Sequence, residues 1–241
     1  MLYVADDGII NNLLWTVFFL TDINESYAEL IMESINPRRL IQLISSYNDT
    51  FRLLAIKIIG NICCFSDSGT KDFIENNSIQ SLRGVITEDN DPLIISEACW
   101  TLSNMVGDVD NISSILDLVD PLIYLVKNAK EYRAKREAVW VLVNACLSAE
   151  SEEFLLMVKK GVFSAFVLML NEKGLDIQTL KAVKRGLELG LENEIAKEWE
   201  LVGGVEKLNA LQLTKNEEVY KLVVEILEQL NHMDESISHN N

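Results

Sequence analysis

The chain has 241 residues, of which 49% are hydrophobic, and a formal net charge of −16. A surface this acidic repels nucleic-acid phosphates and anionic lipids and attracts cationic partners, so we expect neither nucleic-acid nor membrane binding. No run of about 18 uncharged apolar residues occurs, which argues against a membrane span. Only three prolines are present, and the abundance of Leu, Ile, Glu and Lys favours helices over strands.

Five predicted helices share one sequence pattern. In chain order they are NNLLWTVFFLTD, LLAIKIIGNICCF, SEACWTLSNMVGD, REAVWVLVNACLS and QTLKAVKRGLEL, and the middle three align without gaps as x-Ala-x-(Lys/Trp)-x-x-x-Asn. The first marked position holds Trp15, Lys57, Trp100, Trp140 and Lys181, and the second holds Phe19, Asn61, Asn104, Asn144 and Arg185. Successive first positions are 42, 43, 40 and 41 residues apart, a period typical of armadillo and HEAT helical arrays.

Two shorter apolar helices lie between successive patterned helices, as in SSILDLVDPLIYLVKN before the fourth. Such units bury their core against neighbouring repeats, so a single repeat does not fold alone. We therefore predict an all-α fold, a right-handed α-α superhelix (solenoid) of about 5–6 armadillo repeats. The predicted boundaries are one solenoid over residues 1–232 and a polar disordered tail over residues 233–241.

Each patterned helix has a core face that does not need the residue at the first marked position. At 100° per residue, the apolar residues of the third helix fall on one side: Ile95, Ala98, Cys99, Leu102 and Val106. Glu97, Trp100 and Asn104 fall nearly opposite, and the fourth helix repeats this division. A single Trp on a helix is more often a core residue. Two Trp at one register, each followed four residues later by Asn, indicate instead an exposed binding ladder.

The chemistry of this ladder suits an extended peptide rich in Lys or Arg. Parallel indoles accept the methylene stem of a basic side chain, and a cation near a ring face gains roughly 0.5–2 kcal/mol. An Asn carboxamide offers a donor and an acceptor to the C=O and N–H of a peptide group. Glu97 and Glu137 each stand one helical turn before a Trp, and Asp67 follows the second patterned helix. These carboxylates are placed to pair with the cations of the ligand.

The tracts EACWTLSNMVGD, REAVWVLVNA, AIKIIGNI and GGVEKLNALQLTKNEEVYKLVVEIL resemble the importin α (karyopherin α) family, in about its fifth to tenth armadillo repeats. Importin α is a nuclear-import adaptor, so the resemblance implies binding of Lys/Arg-rich nuclear localisation signal peptides in the region of the family's minor site. The peptide-binding residues that it implies are Trp15, Phe19, Lys57, Asn61, Asp67, Thr70, Glu97, Trp100, Ser103, Asn104, Glu137, Trp140 and Asn144.

The resemblance also carries expectations about partners and location. It implies shuttling between cytoplasm and nucleus, and it implies contact of the last, acidic helices with the family's export-recycling receptor. The first 35 residues hold no Lys or Arg, so we expect no basic importin-β-binding arm, and recruitment of importin β is in question. Because the similarity covers only the carboxy-terminal half of the family's chain, we expect either a fragment of a longer adaptor or a reduced homologue.

No catalytic motif is present. The sequence lacks Gly-x-x-x-x-Gly-Lys, Gly-x-Gly-x-x-Gly and His-Glu-x-x-His, and its two histidines, His232 and His239, lie in or near the predicted tail. The four cysteines include no Cys-x-x-Cys pair, and we predict that they are reduced core residues. We therefore expect no enzyme activity, cofactor or metal. The alternative to an import adaptor is an armadillo or HEAT scaffold that binds another protein partner and not a nuclear localisation signal.

Overall fold

The computed structural model describes residues 6–89, 91–107, 112–172 and 174–238. All regular secondary structure in these ranges is α-helical, which confirms the predicted all-α class. In chain order the helices are α1 (Asp7–Ile23), α2 (Glu25–Ser34), α3 (Pro37–Ile44), α4 (Asp49–Phe65), α5 (Asp67–Glu75), α6 (Ser78–Glu88), α7 (Pro92–Val106), α8 (Ser113–Leu116), α9 (Val119–Asn128), α10 (Tyr132–Ser148), α11 (Ser151–Lys159), α12 (Val162–Met169), α13 (Asp176–Glu188), α14 (Glu192–Leu201), α15 (Gly204–Leu211) and α16 (Glu217–Ser238). No helix in the described ranges is long and apolar enough to cross a bilayer.

The patterned sequences form every third helix. They are α1, α4, α7, α10 and α13, which have 13 to 17 residues each. Two shorter helices separate each of them from the next, and α14 and α15 separate α13 from α16 in the same way. This order confirms the predicted repeat, since a three-helix unit of about 40 residues is typical of armadillo proteins.

Side-chain caps explain where several of these helices begin. The backbone N–H groups of Thr50 and Phe51 donate to Asn48 Oδ1 at 3.0 and 3.3 Å, at the start of α4. At the start of α7 the Leu93 N–H donates to Asp91 Oδ1 at 2.8 Å. Such caps satisfy backbone donors that the first helical turn leaves unpaired, and each stabilises a helix by about 1 kcal/mol.

The joint between the two short helices of a repeat uses a left-handed backbone in three repeats. Asn77 (φ 65°), Gly161 (φ 83°) and Gly203 (φ 74°) immediately precede α6, α12 and α15. Glycine adopts this conformation without a steric penalty, and asparagine tolerates it better than most residues. The same local chemistry therefore turns the chain at the same point in these three repeats.

The chain divides into two compact units. Unit 1 comprises Met1–Asn111 with Lys130–Val141, and unit 2 comprises Ile112–Ala129 with Leu142–Asn241. In unit 1, α4 packs against α1, α3 and α7. In unit 2, α13 packs against α14 and α16, and Trp199 meets Phe163 edge-on at a centroid distance of 5.2 Å.

The core face predicted for the patterned helices is confirmed. In α7, the five residues predicted inward are at most 9% exposed: Ile95, Ala98, Cys99, Leu102 and Val106. In α10, Ala138, Val139, Leu142 and Cys146 are fully buried. Burial of an aliphatic side chain of Val, Leu or Ile size contributes roughly 1.5–3 kcal/mol, so this apolar stripe is the main stabilising feature of each helix.

The carboxy-terminal helix extends further than the sequence indicated. α16 runs to Ser238, so residues 233–238, predicted as disordered tail, are helical. Its apolar residues Val219, Val223 and Ile226 are at most 2% exposed and lie at helical spacing, which anchors the helix well before its last turns. Residues 239–241, the rest of the predicted tail, include His239 and lie outside the described ranges, as do residues 1–5.

Candidate peptide-binding site

The two repeated positions of the patterned helices form the candidate site. We call their side chains the ladder residues: Trp15 and Phe19 on α1, Lys57 and Asn61 on α4, Trp100 and Asn104 on α7, and Trp140 and Asn144 on α10. Seven of these eight are at least partly exposed, and Asn61 is buried. On the same helices the residues of the core face are buried, so the ladder residues occupy a different face.

The ladder begins with an exposed aromatic stack on α1. The rings of Trp15 and Phe19 are 5.6 Å apart at their centroids with an interplanar angle of 28°. Trp15 is 40% exposed and Phe19 is 54% exposed. The i, i+4 spacing places both rings on one side of the helix, and their stacking holds them against each other.

Lys57 connects α1 with α7. Its Nζ lies 5.2 Å from the centroid of the Phe18 ring and 3.4 Å from Glu97 Oε1. The ammonium group thus receives a cation–π contact on one side and a carboxylate on the other. Phe18 was not among the predicted site residues. The sequence places Phe18 directly before Phe19, which is a predicted site residue. The contact of Phe18 with Lys57, however, depends on how α1 and α4 pack.

Trp100 lies against a glycine of the neighbouring patterned helix. A Cβ atom added to Gly60 would come within 2.3 Å of Trp100 Cζ3, so only glycine at this position lets the indole approach α4. Asn104 Nδ2 donates to the Gly60 carbonyl oxygen at 3.2 Å, and Ser103 Oγ donates to the Trp100 carbonyl oxygen at 2.8 Å. The indole and the amide of this ladder step are therefore held in place by α4 backbone.

Two of the three predicted carboxylates, Glu97 and Glu137, are buried and paired within the chain. Glu97 is 2% exposed, and its Oε1 lies 2.7 Å from Arg133 Nη2. Glu137 is 4% exposed, and its Oε1 accepts from Arg136 Nε at 3.1 Å. This hydrogen bond raises the pKa of Arg136. A buried carboxylate needs a cation or several donors, and both arginines provide one.

Three further predicted residues differ in their exposure. Asn61 is 6% exposed, and its Nδ2 donates to Thr21 Oγ1 on α1 at 3.2 Å. Thr70 is fully buried, and its hydroxyl donates to the Ser66 carbonyl oxygen at 2.9 Å. Asp67, the first residue of α5, is exposed. Of these three side chains, only the carboxylate of Asp67 is open to solvent.

The last ladder step lies on α10, where Trp140 and Asn144 are both half-buried. They are separated by one helical turn, as Trp100 and Asn104 are on α7. The residues that sequence reasoning missed are Phe18, Arg133 and Arg136, which touch the site from α1 and from the first turns of α10.

The described residues contain no group of three or more His, Cys, Asp or Glu side chains that could hold a metal ion. Cys99 and Cys146 are completely buried, and burial raises the pKa of both thiols, which keeps them protonated. Their environment is that of structural, unreactive cysteines.

The repeated three-helix order, with ladder residues on every third helix, defines an armadillo-repeat protein. A designed armadillo repeat protein in complex with the peptide (KR)4 matches the chain with a TM-score of 0.81 at 21% identity, over 95% of this chain and 96% of its own. A computationally designed armadillo repeat protein for modular peptide recognition matches with a TM-score of 0.82 at 20% identity, over 95% and 96% of the two chains. These likenesses show the fold, and the predicted armadillo solenoid class is confirmed.

Among curated proteins, the chain is similar to importin α subunits. Importin subunit alpha-4 of Arabidopsis thaliana is 27% identical over 245 residues, which cover 95% of this chain and 45% of the relative. Importin subunit alpha-1b of Oryza sativa subsp. japonica is 24% identical over 242 residues, with 95% and 45% covered. No family model matches the chain. The resemblance to importin α is confirmed, and the chain spans about half the length of the curated relatives it matches.

Proposed function

We propose that this chain binds Lys/Arg-rich nuclear localisation signal peptides along its ladder residues and serves as a nuclear-import adaptor. The observation that carries the proposal is the partial exposure of seven of the eight ladder residues on helices whose core faces are buried. Exposed aromatic side chains at a repeated register cost solvation free energy unless a ligand covers them. The similarity to importin α subunits over 95% of the chain supports this class of ligand.

The binding mode follows from the Trp100 step. Its indole packs against Gly60 and is partly exposed, and under this proposal it receives the methylene stem of a peptide Lys or Arg. The hydrogen bond from Asn104 to the Gly60 carbonyl uses one N–H of the amide. The second N–H and the Oδ1 of this amide can pair with the C=O and N–H of a peptide unit. Such pairing would hold an extended peptide backbone whatever its side chains are.

Two properties of the fold and the composition support a basic ligand. The structurally similar designed protein holds a (KR)4 peptide, so an armadillo scaffold accommodates a chain of alternating Lys and Arg. The net charge of −16 attracts such a peptide at long range and speeds its association. Under this proposal the protein is a binding protein without catalytic activity, and it works in both cytoplasm and nucleus.

The wider transport partners are also part of the proposal. An export-recycling receptor would contact the acidic carboxy-terminal helices, from α14 onwards. Recruitment of importin β stays an open prediction. Cargo identity would follow from the peptide that the ladder binds most tightly.

One observation favours a second candidate, an armadillo scaffold for a different protein partner. Glu97 and Glu137 are already neutralised by Arg133 and Arg136, so fewer carboxylates face a ligand than the sequence predicted. A partner recognised through apolar and amide contacts would use the ladder without needing those charges. Selective binding of basic over neutral peptides of equal length would separate the two candidates.

The proposal is tested by titrating a Lys/Arg-rich peptide into the wild type, Trp100→Ala and Asn104→Ala, with circular dichroism to confirm folding. We expect each substitution to weaken binding by at least about tenfold, because each removes a central contact. Tyr124→Ala is the control, since Tyr124 is a 70% exposed aromatic residue outside the ladder. Unchanged affinity in folded Trp100→Ala and Asn104→Ala would reject the ladder as the binding site.

Salt dependence provides an independent check. Affinity for the basic peptide should fall steadily as salt is added, because screening weakens exposed charge pairing at distances beyond about 8–10 Å. Binding that does not respond to salt would favour the second candidate.

A further inference from the structure

The first turns of α10 carry two arginines that form ion pairs with the predicted site carboxylates Glu97 and Glu137. Arg133 Nη2 lies 2.7 Å from Glu97 Oε1 on α7, and Arg136 Nη2 lies 2.5 Å from Glu137 Oε1. Glu97 lies one turn before the indole of Trp100. The carboxylate closest in sequence to this ladder step therefore already holds a cation, and that cation comes from the chain itself.

The two cations that reach Glu97 differ in how they are held. The Lys57 side chain is 30% exposed, lies 3.4 Å from Glu97 and also contacts the Phe18 ring. The Arg133 side chain is 47% exposed, although its guanidinium touches a carboxylate that is only 2% exposed. An arginine with half of its side chain in water regains hydration when it leaves, so its displacement costs little free energy provided that another cation takes its place beside Glu97. Arg133 is thus the more easily displaced of the two.

We propose that Arg133 is a specificity-determining residue that competes with the cation of a bound peptide for Glu97. This inference rests on the proposed function. In the free chain Arg133 and Lys57 both pair with Glu97. When a peptide Lys or Arg lays its stem on Trp100, its charged head takes the place of Arg133, and Arg133 returns to water. Glu97 stays paired in both states, as a buried carboxylate requires.

The exchange has a consequence for ligand selection. Because one ion pair replaces another, the charge of the ligand adds little net free energy at this step. Affinity then depends on stem packing against Trp100 and on hydrogen bonds to Asn104, which only an extended peptide of suitable register supplies. Removing Arg133 would leave Glu97 paired with Lys57 alone, so the charge of the ligand would contribute more to affinity than it does in the wild type.

The test compares the affinity of one Lys/Arg-rich peptide for the wild type, Arg133→Gln and Lys130→Gln by isothermal titration calorimetry at low salt. Lys130 is exposed, and both substitutions change the net charge from −16 to −17, so Lys130→Gln reports the general charge effect alone. We expect Arg133→Gln to bind about tenfold more tightly than the wild type, a difference of about 1.4 kcal/mol. Lys130→Gln should stay within about twofold of the wild type, because the contribution of a single exposed surface charge is screened.

A double-mutant cycle assigns the effect to Glu97. In the Glu97→Gln background, Arg133→Gln should leave the affinity unchanged, since the contested carboxylate is gone. Arg133→Met, which keeps the aliphatic stem, replaces Arg133→Gln in the comparison if the glutamine variant loses helicity.

The outcomes separate the inference from the proposed function. Wild-type binding that Arg133→Gln and Arg133→Met fail to tighten beyond Lys130→Gln would overturn the role of Arg133 and leave the proposed function standing. Absence of peptide binding in the wild type and in every folded variant would overturn both.

Discussion

The α4–α7 pair of unit 1 and the α13–α16 pair of unit 2 occupy corresponding places in their repeats but are joined by different side chains. At α4–α7 the Trp100 ring lies over Gly60, and Asn104 Nδ2 donates to the Gly60 carbonyl oxygen at 3.2 Å. At α13–α16 the corresponding contact is an ion pair, in which Lys184 Nζ lies 2.8 Å from Glu225 Oε2. A second pair joins Lys181 and Glu218 at 2.9 Å in the same helices.

The correspondence follows from position along the patterned helices. Gly60 lies three residues after Lys57, and Lys184 lies three residues after Lys181. A glycine at this place leaves room for an indole and exposes a backbone carbonyl to an amide. A lysine fills the same place with a long side chain and forms a half-exposed ion pair. The residue at this helix position therefore matches its partners on the next patterned helix: glycine faces the indole and amide of α7, and lysine faces a carboxylate of α16.

The largest effect on this comparison should come from Gly60→Ala. The added Cβ would lie 2.3 Å from Trp100 Cζ3 and 2.6 Å from Thr101 Oγ1, so the indole and α7 must shift. Overpacking costs about 1–3 kcal/mol, and the better helix propensity of Ala returns at most about 1 kcal/mol. We expect a net destabilisation of about 1–2 kcal/mol in urea denaturation and a shifted tryptophan emission.

Gly84→Ala is the matched control for this substitution. Gly84 lies inside α6, and nothing would lie within 4 Å of an added Cβ. The variant should be stabilised by about 0.5–1 kcal/mol, since only helix propensity changes. Equal effects of the two substitutions would show that close approach at Gly60 does not matter for α4–α7 packing.

An intermediate effect is expected for the buried hydroxyls of the two units. Thr101 Oγ1 donates to the Ile56 carbonyl oxygen at 3.0 Å, whereas Thr179 Oγ1 on α13 is buried without a hydrogen-bond partner in the described structure. Thr101→Val should therefore destabilise the protein by about 1 kcal/mol, and Thr179→Val should be neutral or stabilising. Thermal denaturation of both variants measures the difference, and a stabilising Thr101→Val would contradict the assigned bond.

The smallest effect concerns the α13–α16 ion pair and depends on pH. The hydrogen bond from Lys184 lowers the pKa of Glu225, and the same bond raises the pKa of Lys184. The carboxylate contributes stability above its unfolded pKa of about 4.3 and loses it as the pH falls through its lowered folded value. The ammonium contributes stability below its unfolded pKa of about 10.4 and loses it as the pH rises through its raised folded value.

Glu225→Gln tests the predicted direction of this pH dependence of stability. The variant should melt about 1–2 °C below the wild type between pH 5 and 10 in buffered scans, because a half-exposed pair contributes little. As the pH falls through the lowered folded pKa of Glu225, the wild-type carboxylate becomes protonated and the difference in melting temperature should shrink. A difference that grows on acidification would contradict the pairing.

Much of the site was predictable because the ladder lies on a regular helix. The positions of Trp100 and Asn104 opposite Ala98 and Leu102 follow from 100° per residue, and the structure keeps them partly exposed. The same reasoning placed Asn61 on the exposed face, but the structure buries it. Its amide donates to Thr21, which lies 40 residues earlier in the chain. A helical wheel has no information about such a neighbour.

By itself the sequence determined the helical class, the period of about 40 residues and the core stripe of each patterned helix. These properties are local, since they depend on the spacing of apolar residues along one helix. Only the tertiary structure decided which polar side chains of the candidate site are already paired within the chain. Glu97 meets Arg133 36 residues further along the chain, and Asn104 meets the Gly60 carbonyl 44 residues earlier. Such contacts form only when neighbouring repeats pack, because packing brings together groups that no local pattern relates.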